Sequence, residues 1–382
     1  AAIDPFRAWR YTSKAGPIED LATQPYDTIP PELEQRYRRS SPYNLVHLIL
    51  PESHARSRQL AREWMAAGIL ARDARPSVYV YEQVFRLPES DEELARRGFI
   101  ALGGVEHYSR GVVHRHERTL DAPREDRLGL LRATRMHHDS IFMLYPDPRL
   151  EVERLLAPAC ATPLTELTDH QQTRHRLWRV DDPALLAALR ECMRDKKLLI
   201  ADGHHRYEAA LAFGAPQALM TFVNLDSPGL RTLAAHRVIH SLPGFEARAA
   251  LASLLDRFSP GRGGGAVRFE VVLEGIGGLH PIEVPRQPGE LNLTALHARV
   301  LHETLGITPG DVAAQRYVRY RRGRQAAIGE VRAGSAQAAF LVEPLRIADV
   351  ARLGFSGQTL PQKSTDFYPK LLSGLVLNSI GD

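Results

Sequence analysis

The spacing of apolar residues changes several times along the chain, and each change marks an expected element. "SVYVYEQVFRL" (77–87) alternates and is rich in Val and Tyr, which predicts a strand, and "RGFIALGGVEHYS" (97–109) reads as its hairpin partner. Arg56–Leu70 carries apolar residues at helical spacing. Pro30 and Pro31 open another helical pattern, where proline is tolerated, and the apolar run Leu45–Leu50 predicts a strand. Pro123, Glu125 and Asp126 mark a helix start, with Arg132 and Arg135 near its end, favourable to the helix dipole.

Further along, "SIFMLY" (140–145) predicts a strand. "DDPALLAALRECMRDKK" (181–197) predicts a helix with Asp181 or Asp182 as N-cap and Pro183 at its first position. "LLIA" (198–201) is a buried strand, "HRYEAALAFG" (205–214) a helix closed by Gly214, and "ALMTFVNL" (218–225) another strand. Later helices are expected at Phe245–Phe258 and Leu293–Leu305, and strands at "VRFEVVL" (267–273), "PIEVP" (281–285) and "AAFLVEP" (338–344). The end of the chain reads as a polar loop and a short terminal strand. Strand–helix–strand spacing of this kind argues an α/β (α+β) fold.

Composition adds modest limits. With 382 residues, 44% hydrophobic and 25% charged, the chain has ample material for a core. A net charge of +4 suits phosphate-bearing ligands but falls short of the basic stripe of a nucleic-acid binder, so no nucleic-acid partner is expected. Cys160 and Cys192 form no CxxC pair. There is no leader-like opening and no apolar run long enough for a membrane span. The expectation is a cytoplasmic location with no membrane partner.

The most pointed chemistry lies in "KKLLIADGHHRYEAALAFG" (196–214), where a strand hands over to a helix through Asp202-Gly203-His204-His205-Arg206. A helix start presents unpaired N–H groups and partial positive charge, so anions settle there. Gly203 permits a tight turn, Arg206 offers a planar fork to phosphate oxygens, and the histidines add donors. Asp202 can hold Mg²⁺ beside the phosphates. Two other readings stand beside this one. Asp202 can simply cap the helix, or zinc can sit among these residues and His114-x-His116.

Five stretches, "QPYDTI", "NLVHLILPE", "HERTLDAPREDRLGLLRAT", "IADGHHRYEAA" and "LPQKSTDFYPKLLSGLV", resemble the bacterial family catalogued as domain of unknown function 1015. They run from Gln24 to Val376, nearly the whole chain. The "IADGHHRYEAALAFG" segment is also similar to the helix start of the ParB/sulfiredoxin-like superfamily, and within it to the archaeal free-serine kinases. Those kinases use Pro-His-Glu, then Asp-Gly-His-His-Arg, then Pro-Lys-Thr-Thr. This chain has Arg115-His116-Glu117, then Asp202–Arg206, then Pro361-Gln362-Lys363-Ser364-Thr365. Arg115 stands where those kinases have proline, and Gln362 is an insertion.

The resemblance implies a ParB/sulfiredoxin-like core at 106–226, an added N-terminal α/β unit at 1–105, and a mixed C-terminal region at 227–382 that brings the Lys363–Thr365 loop. It implies a small-molecule kinase acting on a hydroxyl such as that of free L-serine, with ATP or ADP as donor and Mg²⁺ as cofactor. Glu117, Asp202 and His205 would be catalytic, with Glu117 as general base. Gly203, His204, His205 and Arg206 would bind nucleotide phosphates, Asp202 would hold the metal, and Lys363, Ser364 and Thr365 would bind substrate. Blander readings exist for each. Glu117 can pair with Arg118 or Arg124, the 363–365 loop can be a plain turn, and Tyr26 and Asp27 can be a turn or can face the site. His137-His138-Asp139 is expected to be a surface loop, and Tyr79 and Tyr81 to be strand packing. A non-catalytic nucleotide-binding switch, a DNA-associated protein and a phosphatase using the same pocket remain as other function classes.

Overall fold

The computed structural model describes residues 1–381 apart from 118, 120, 262–264 and 361–363. The chain forms a mixed α/β fold with twelve α-helices among the described residues. It divides into two compact units: Ala1–Arg231 with Ala351–Gln358 and Phe367–Asp382, and Thr232–Val350 with Thr359–Asp366.

The first unit is built on a nine-stranded sheet. In chain order its strands are β1 (Ile3–Asp4), β2 (Val78–Arg86), β3 (Glu93–Gly104), β4 (Val113–His114), β5 (Ile141–Tyr145), β6 (Thr165–Thr168), β7 (Arg174–Val180), β8 (Leu198–Asp202) and β9 (Gln217–Asn224). Across the sheet they run β4-β8-β5-β9-β3-β2-β7-β6, with β1 paired to β3. The β4–β8 and β5–β9 pairs are parallel, and the others are antiparallel. β3 pairs with β9 along Gly98–Gly104, so strands from either side of residue 105 share one sheet.

The longer helices of this unit are α1 (Pro31–Ser40), α2 (His54–Ala66), α3 (Asp121–Thr134), α4 (Pro183–Met193) and α5 (His204–Phe213). Their ends follow the sequence signals: Pro31 opens α1, the Asp182 side chain accepts from Leu185 N–H at the start of α4, and Gly214 closes α5 in left-handed geometry. The core buries Phe99, Met143, Leu189, Ile200 and Phe222 between sheet and helices.

One expected strand is absent. Val46–Ile49 is a single helical turn, because the Asn44 side chain accepts Val46 N–H at 2.9 Å and Leu48 N–H closes on Leu45 O at 2.8 Å. A short apolar run has no period to decide between the two conformations.

The second unit holds a five-stranded antiparallel sheet of β10 (Ala235–Ile239), β11 (Ala266–Leu273), β12 (His280–Pro285), β13 (Val318–Arg322) and β14 (Ala338–Leu341), in the order β12-β11-β14-β10-β13. Helices α6 (Ala247–Phe258) and α7 (Arg324–Arg332) belong to this part of the chain. Ala327, Ile328 and Val331 of α7 pack with Val238, Val272 and Leu341 of the sheet. The helix expected at 293–305 forms as Asn292–Ala295 followed by a π-helical stretch, Leu296–His302. Among the described residues no helix is long and apolar enough to cross a membrane.

The His137-His138-Asp139 segment, expected at the surface, is buried instead. It enters β5 beneath α3, and His137 Nδ1 lies 3.1 Å from Asn378 Nδ2. Burial pushes the His137 and His138 imidazoles from 6.5 down to about 3, so both are neutral near pH 7. A histidine whose folded pKa is depressed contributes fully above its unfolded value and loses that contribution as pH falls.

Two outcomes are expected. Truncating Phe222→Ala, at a fully buried ring stacked on Phe99 at 4.9 Å, should cost about 3–5 kcal/mol in denaturant unfolding. Stability should fall as pH drops from about 6.5 towards about 3, by on the order of 1 kcal/mol per buried histidine for each pH unit. Melting curves of wild type and His138→Gln at pH 7.5 and 5 check this, with the variant expected to lose less on acidification.

Candidate active site

The strand-to-helix corner forms as the sequence suggests. β8 ends at Asp202, Gly203 takes φ +91°, and α5 begins at His204. Gly203 itself is the N-cap residue and no side chain caps the helix, so Asp202 does not serve as a cap. A side-chain carbon at 203 would lie 3.0 Å from the Arg206 guanidinium, which folds back over the glycine. The left-handed turn and this close approach both require glycine.

Asp202 is braced from two sides. Arg206 Nη2 donates to its Oδ2 at 3.0 Å, and Lys370 Nζ lies 3.4 Å from its Oδ1. Arg206, expected as a fork for phosphate oxygens, also gives Nη1 to Ser140 O at 2.5 Å, and its Nε is buried without a hydrogen-bond partner among the described residues. Burial works against its charge, but Asp202, Asp139 and Asp27 outweigh that and hold its pKa above the ordinary value. Asp27, in the turn Tyr26–Thr28, therefore acts on the site, and the Tyr26 ring lies 4.0 Å below the Arg127 guanidinium.

His116 and His204 are neutral donors or acceptors near pH 7. His116 Nδ1 contacts Ile200 O at 2.8 Å, and burial lowers its pKa to about 4. Its ring meets the His204 ring edge-on, with centroids 4.8 Å apart. Burial, with His116 beside it, holds His204 well below the usual histidine range. His204 Nε2 is buried without a hydrogen-bond partner among the described residues. His205, next on α5, is half-buried.

The neighbours of Glu117 are held to α5. Glu208, one turn beyond His204, accepts from Arg115 Nη1 at 3.0 Å and from Thr119 Oγ1 at 2.5 Å. Tyr108 OH adds a third bond to Glu208 at 3.3 Å, with the Arg115 guanidinium 4.9 Å over the Tyr108 ring. With His116 against His204, the segment on both sides of Glu117 is tied along the first turns of the helix. Arg124, a suggested partner for Glu117, pairs with Asp121 at 3.0 Å.

Residues that sequence reasoning did not assign to the site, Arg127, His138 and Asp139, line this region together with Arg206. Arg127, His138, Asp139 and Arg206 border a cavity of about 50 Å³ between α3 and α5. "HHD" between a helix and a strand was the available signal, and its burial is a tertiary effect. Lys370 and Glu208 lie in quoted family stretches but outside the residues assigned a role there. Lys363 lies outside the described residues. Ser364 is buried and Thr365 half-buried, in the second unit.

The residues fit a metal poorly. Both Asp202 oxygens face cations, and among the described residues no group of three or more His, Cys, Asp or Glu is placed to hold a metal ion. His114 packs on Phe355 at 5.2 Å and contacts Gly111 O at 3.1 Å, which accounts for it without zinc.

Several solved structures are similar at low identity. A conserved hypothetical protein from Pyrococcus furiosus shares 14% identity over 68% of this chain and 89% of its own, with a TM-score of 0.38. A free serine kinase in complex with AMP shares 12% over 74% of this chain and 92% of its own, at 0.40. SbnI from Staphylococcus aureus, truncated at its C-terminus, shares 12% over 72% and 86%, at 0.37. Likeness this loose leaves substrate and activity to this chain's own residues. No curated protein matches the chain. The model of the family described as protein of unknown function (DUF1015) matches residues 3–324, and the chain belongs to that family.

Proposed function

We propose that the protein is a small-molecule phosphotransferase whose β8–α5 corner holds the phosphates of ATP or ADP. Its acceptor is a hydroxyl, such as that of a free amino acid like L-serine. The observation that carries this reading is the tethering of the 115–119 segment to α5 through Glu208 and the His116–His204 contact. In this reading Glu117, between those tethered residues, works alongside the helix start, the pairing that the order of the motifs implies. A ParB/sulfiredoxin-like core at 106–226, flanked by an N-terminal unit and a C-terminal region, is part of the same proposal.

Phosphoryl transfer demands positioning and charge stabilisation more than covalent chemistry. The N–H groups at the start of α5 face the phosphates with the positive end of the helix dipole. Gly203 lets the ligand approach the backbone, and His204 and His205 supply hydrogen bonds. The acceptor oxygen attacks the terminal phosphorus, and Glu117 takes its proton. A phosphate ester forms as the bond to the leaving nucleotide oxygen breaks. Asp202 acts as the brace that fixes Arg206 and the turn, and no metal is assigned to it. Lys363, Ser364 and Thr365 stay in the proposal as substrate clamps on the sequence resemblance alone.

The test uses purified protein with ATP and, separately, ADP, against a panel of hydroxy amino acids. Phosphorylated acceptor is detected by mass spectrometry. Glu117→Gln is expected to lower turnover by roughly 10²–10⁴-fold with little change in melting temperature. Equal turnover in wild type and variant would sink the role of Glu117. Free phosphate with no phosphorylated acceptor would replace the kinase reading with a phosphatase.

A further inference from the structure

We propose that Lys370 is an anion-binding residue of this site, and that Arg96, helped by Gln83, is the positioning residue that holds it there. The inference rests on the phosphate reading of the β8–α5 corner and names a cation for it that lies within the "LPQKSTDFYPKLLSGLV" stretch but outside the residues assigned to the site from sequence. The chemical class it would receive is a phosphoryl oxygen of a nucleotide.

Lys370 stands 168 residues beyond Asp202, yet its Nζ lies 3.4 Å from Asp202 Oδ1, with the side chain 12% exposed. It also lies close enough to His116 to help depress that imidazole, after the larger effect of burial. It thus meets the last residue of β8, before the Gly203 turn into α5. Arg206 cannot play the same part in this geometry, because two of its nitrogens are given to Ser140 O and Asp202 and the third is buried. A lysine ammonium is a compact charge with rotatable donors, and it serves as a point contact for phosphate.

The backbone around Lys370 is fixed by buried side chains of β2 and β3. Arg96, 1% exposed on β3, donates to Tyr368 O at 3.2 Å and Pro369 O at 2.5 Å. Its Nη2 also donates to Gln83 Oε1 at 2.5 Å, and its guanidinium lies 4.8 Å over the Phe142 ring. Gln83 Nε2 in turn donates to Lys370 O at 2.8 Å. Two residues on, Leu372 N–H donates to Tyr81 OH at 3.2 Å, and that hydroxyl lies 2.7 Å from His175 Nδ1. Three consecutive carbonyls, at 368, 369 and 370, therefore end on this polar pair.

Arg96 bonds to neutral acceptors, and burial pulls its pKa down to about 10. Burying an arginine on these terms is unfavourable compared with an apolar residue of similar volume. What it secures is geometry, since a planar fork with several donors fixes several carbonyls at once. Lys370 reaches Asp202 from this clamped stretch.

The experiment reads lysine labelling by an amine-reactive ester, quantified by mass spectrometry, with and without ADP. Calorimetry measures ADP affinity alongside. In wild type, ADP should slow labelling of Lys370 and leave Lys197 and Lys14 unchanged. Lys370→Gln should weaken ADP binding by about 10- to 100-fold, the size expected for loss of a charged hydrogen bond. Arg96→Gln should speed labelling of Lys370 several-fold and weaken its protection by ADP. If that variant does not fold, Gln83→Leu, which removes only the bond to Lys370 O, should give the same change in smaller measure.

Tight ADP binding with no protection of Lys370 would overturn this inference and leave the phosphotransferase reading standing. Protection of Lys370 that is identical in wild type and both β2–β3 variants would overturn the role of Arg96. Absence of any ADP or ATP binding would overturn both readings together.

Discussion

The arrangement of the site depends on one carboxylate. Asp202 is shared by Arg206 at 3.0 Å and Lys370 at 3.4 Å, at the point where the sheet gives way to α5. Buried or half-buried charges carry a desolvation cost that is offset only by good geometry and further bonds. Here each carboxylate oxygen meets its own cation, and Arg206 gains Ser140 O as a second acceptor. The same contact folds Arg206 over Gly203, which makes glycine obligatory there and fixes the direction in which the helix leaves the sheet. It also ties the end of the chain to the corner, since Lys370 belongs to a segment clamped by Arg96 and Gln83.

Around this brace the protein keeps charge low and polarity high. His116, His137, His138 and His204 are buried with depressed pKa values, so each is a neutral hydrogen-bonding group near pH 7. The positive end of the α5 dipole then becomes the main feature favouring an anion, with the Lys370 ammonium on Asp202 as a further charge. Glu208 plays the matching part on the other side. By accepting from Arg115, Thr119 and Tyr108 it ties the residues on either side of Glu117 to α5. A carboxylate meant to accept a proton benefits from such a fixed backbone, because proton transfer depends first on reach.

Much of this was legible in the sequence where the signal is local. The hairpin of β2 and β3, the capped start of α4, and the β8–Gly203–α5 hand-over all follow from period, proline and glycine placement. What was not legible depends on tertiary context. Val46–Ile49 turns because Asn44 caps it, and β13, "VRYRR", carries too many arginines to read as a strand until its neighbours pair with it. "HHD" at 137–139 looks polar and exposed, and only the packing of α3 and β5 buries it. Lys370 and Arg96 are far apart in sequence from Asp202; Arg96 lies in none of the quoted stretches, and Lys370 lies in the last of them with nothing local to mark it as a site residue, so neither could be assigned to the site before folding placed them. The Arg206 fork was expected to face a ligand, and one of the two groups that hold it, Ser140 O, comes from another part of the chain, with Asp202 as the other.

The most direct measurement is a crystal structure of the protein with ADP. The account predicts phosphate oxygens on the backbone N–H groups of His204, His205 and Arg206. It also predicts the Glu117 carboxylate within hydrogen-bond reach of the space beyond the terminal phosphate, directly or through one water. ADP bound away from α5, or a Glu117 carboxylate turned away from that space, would contradict it.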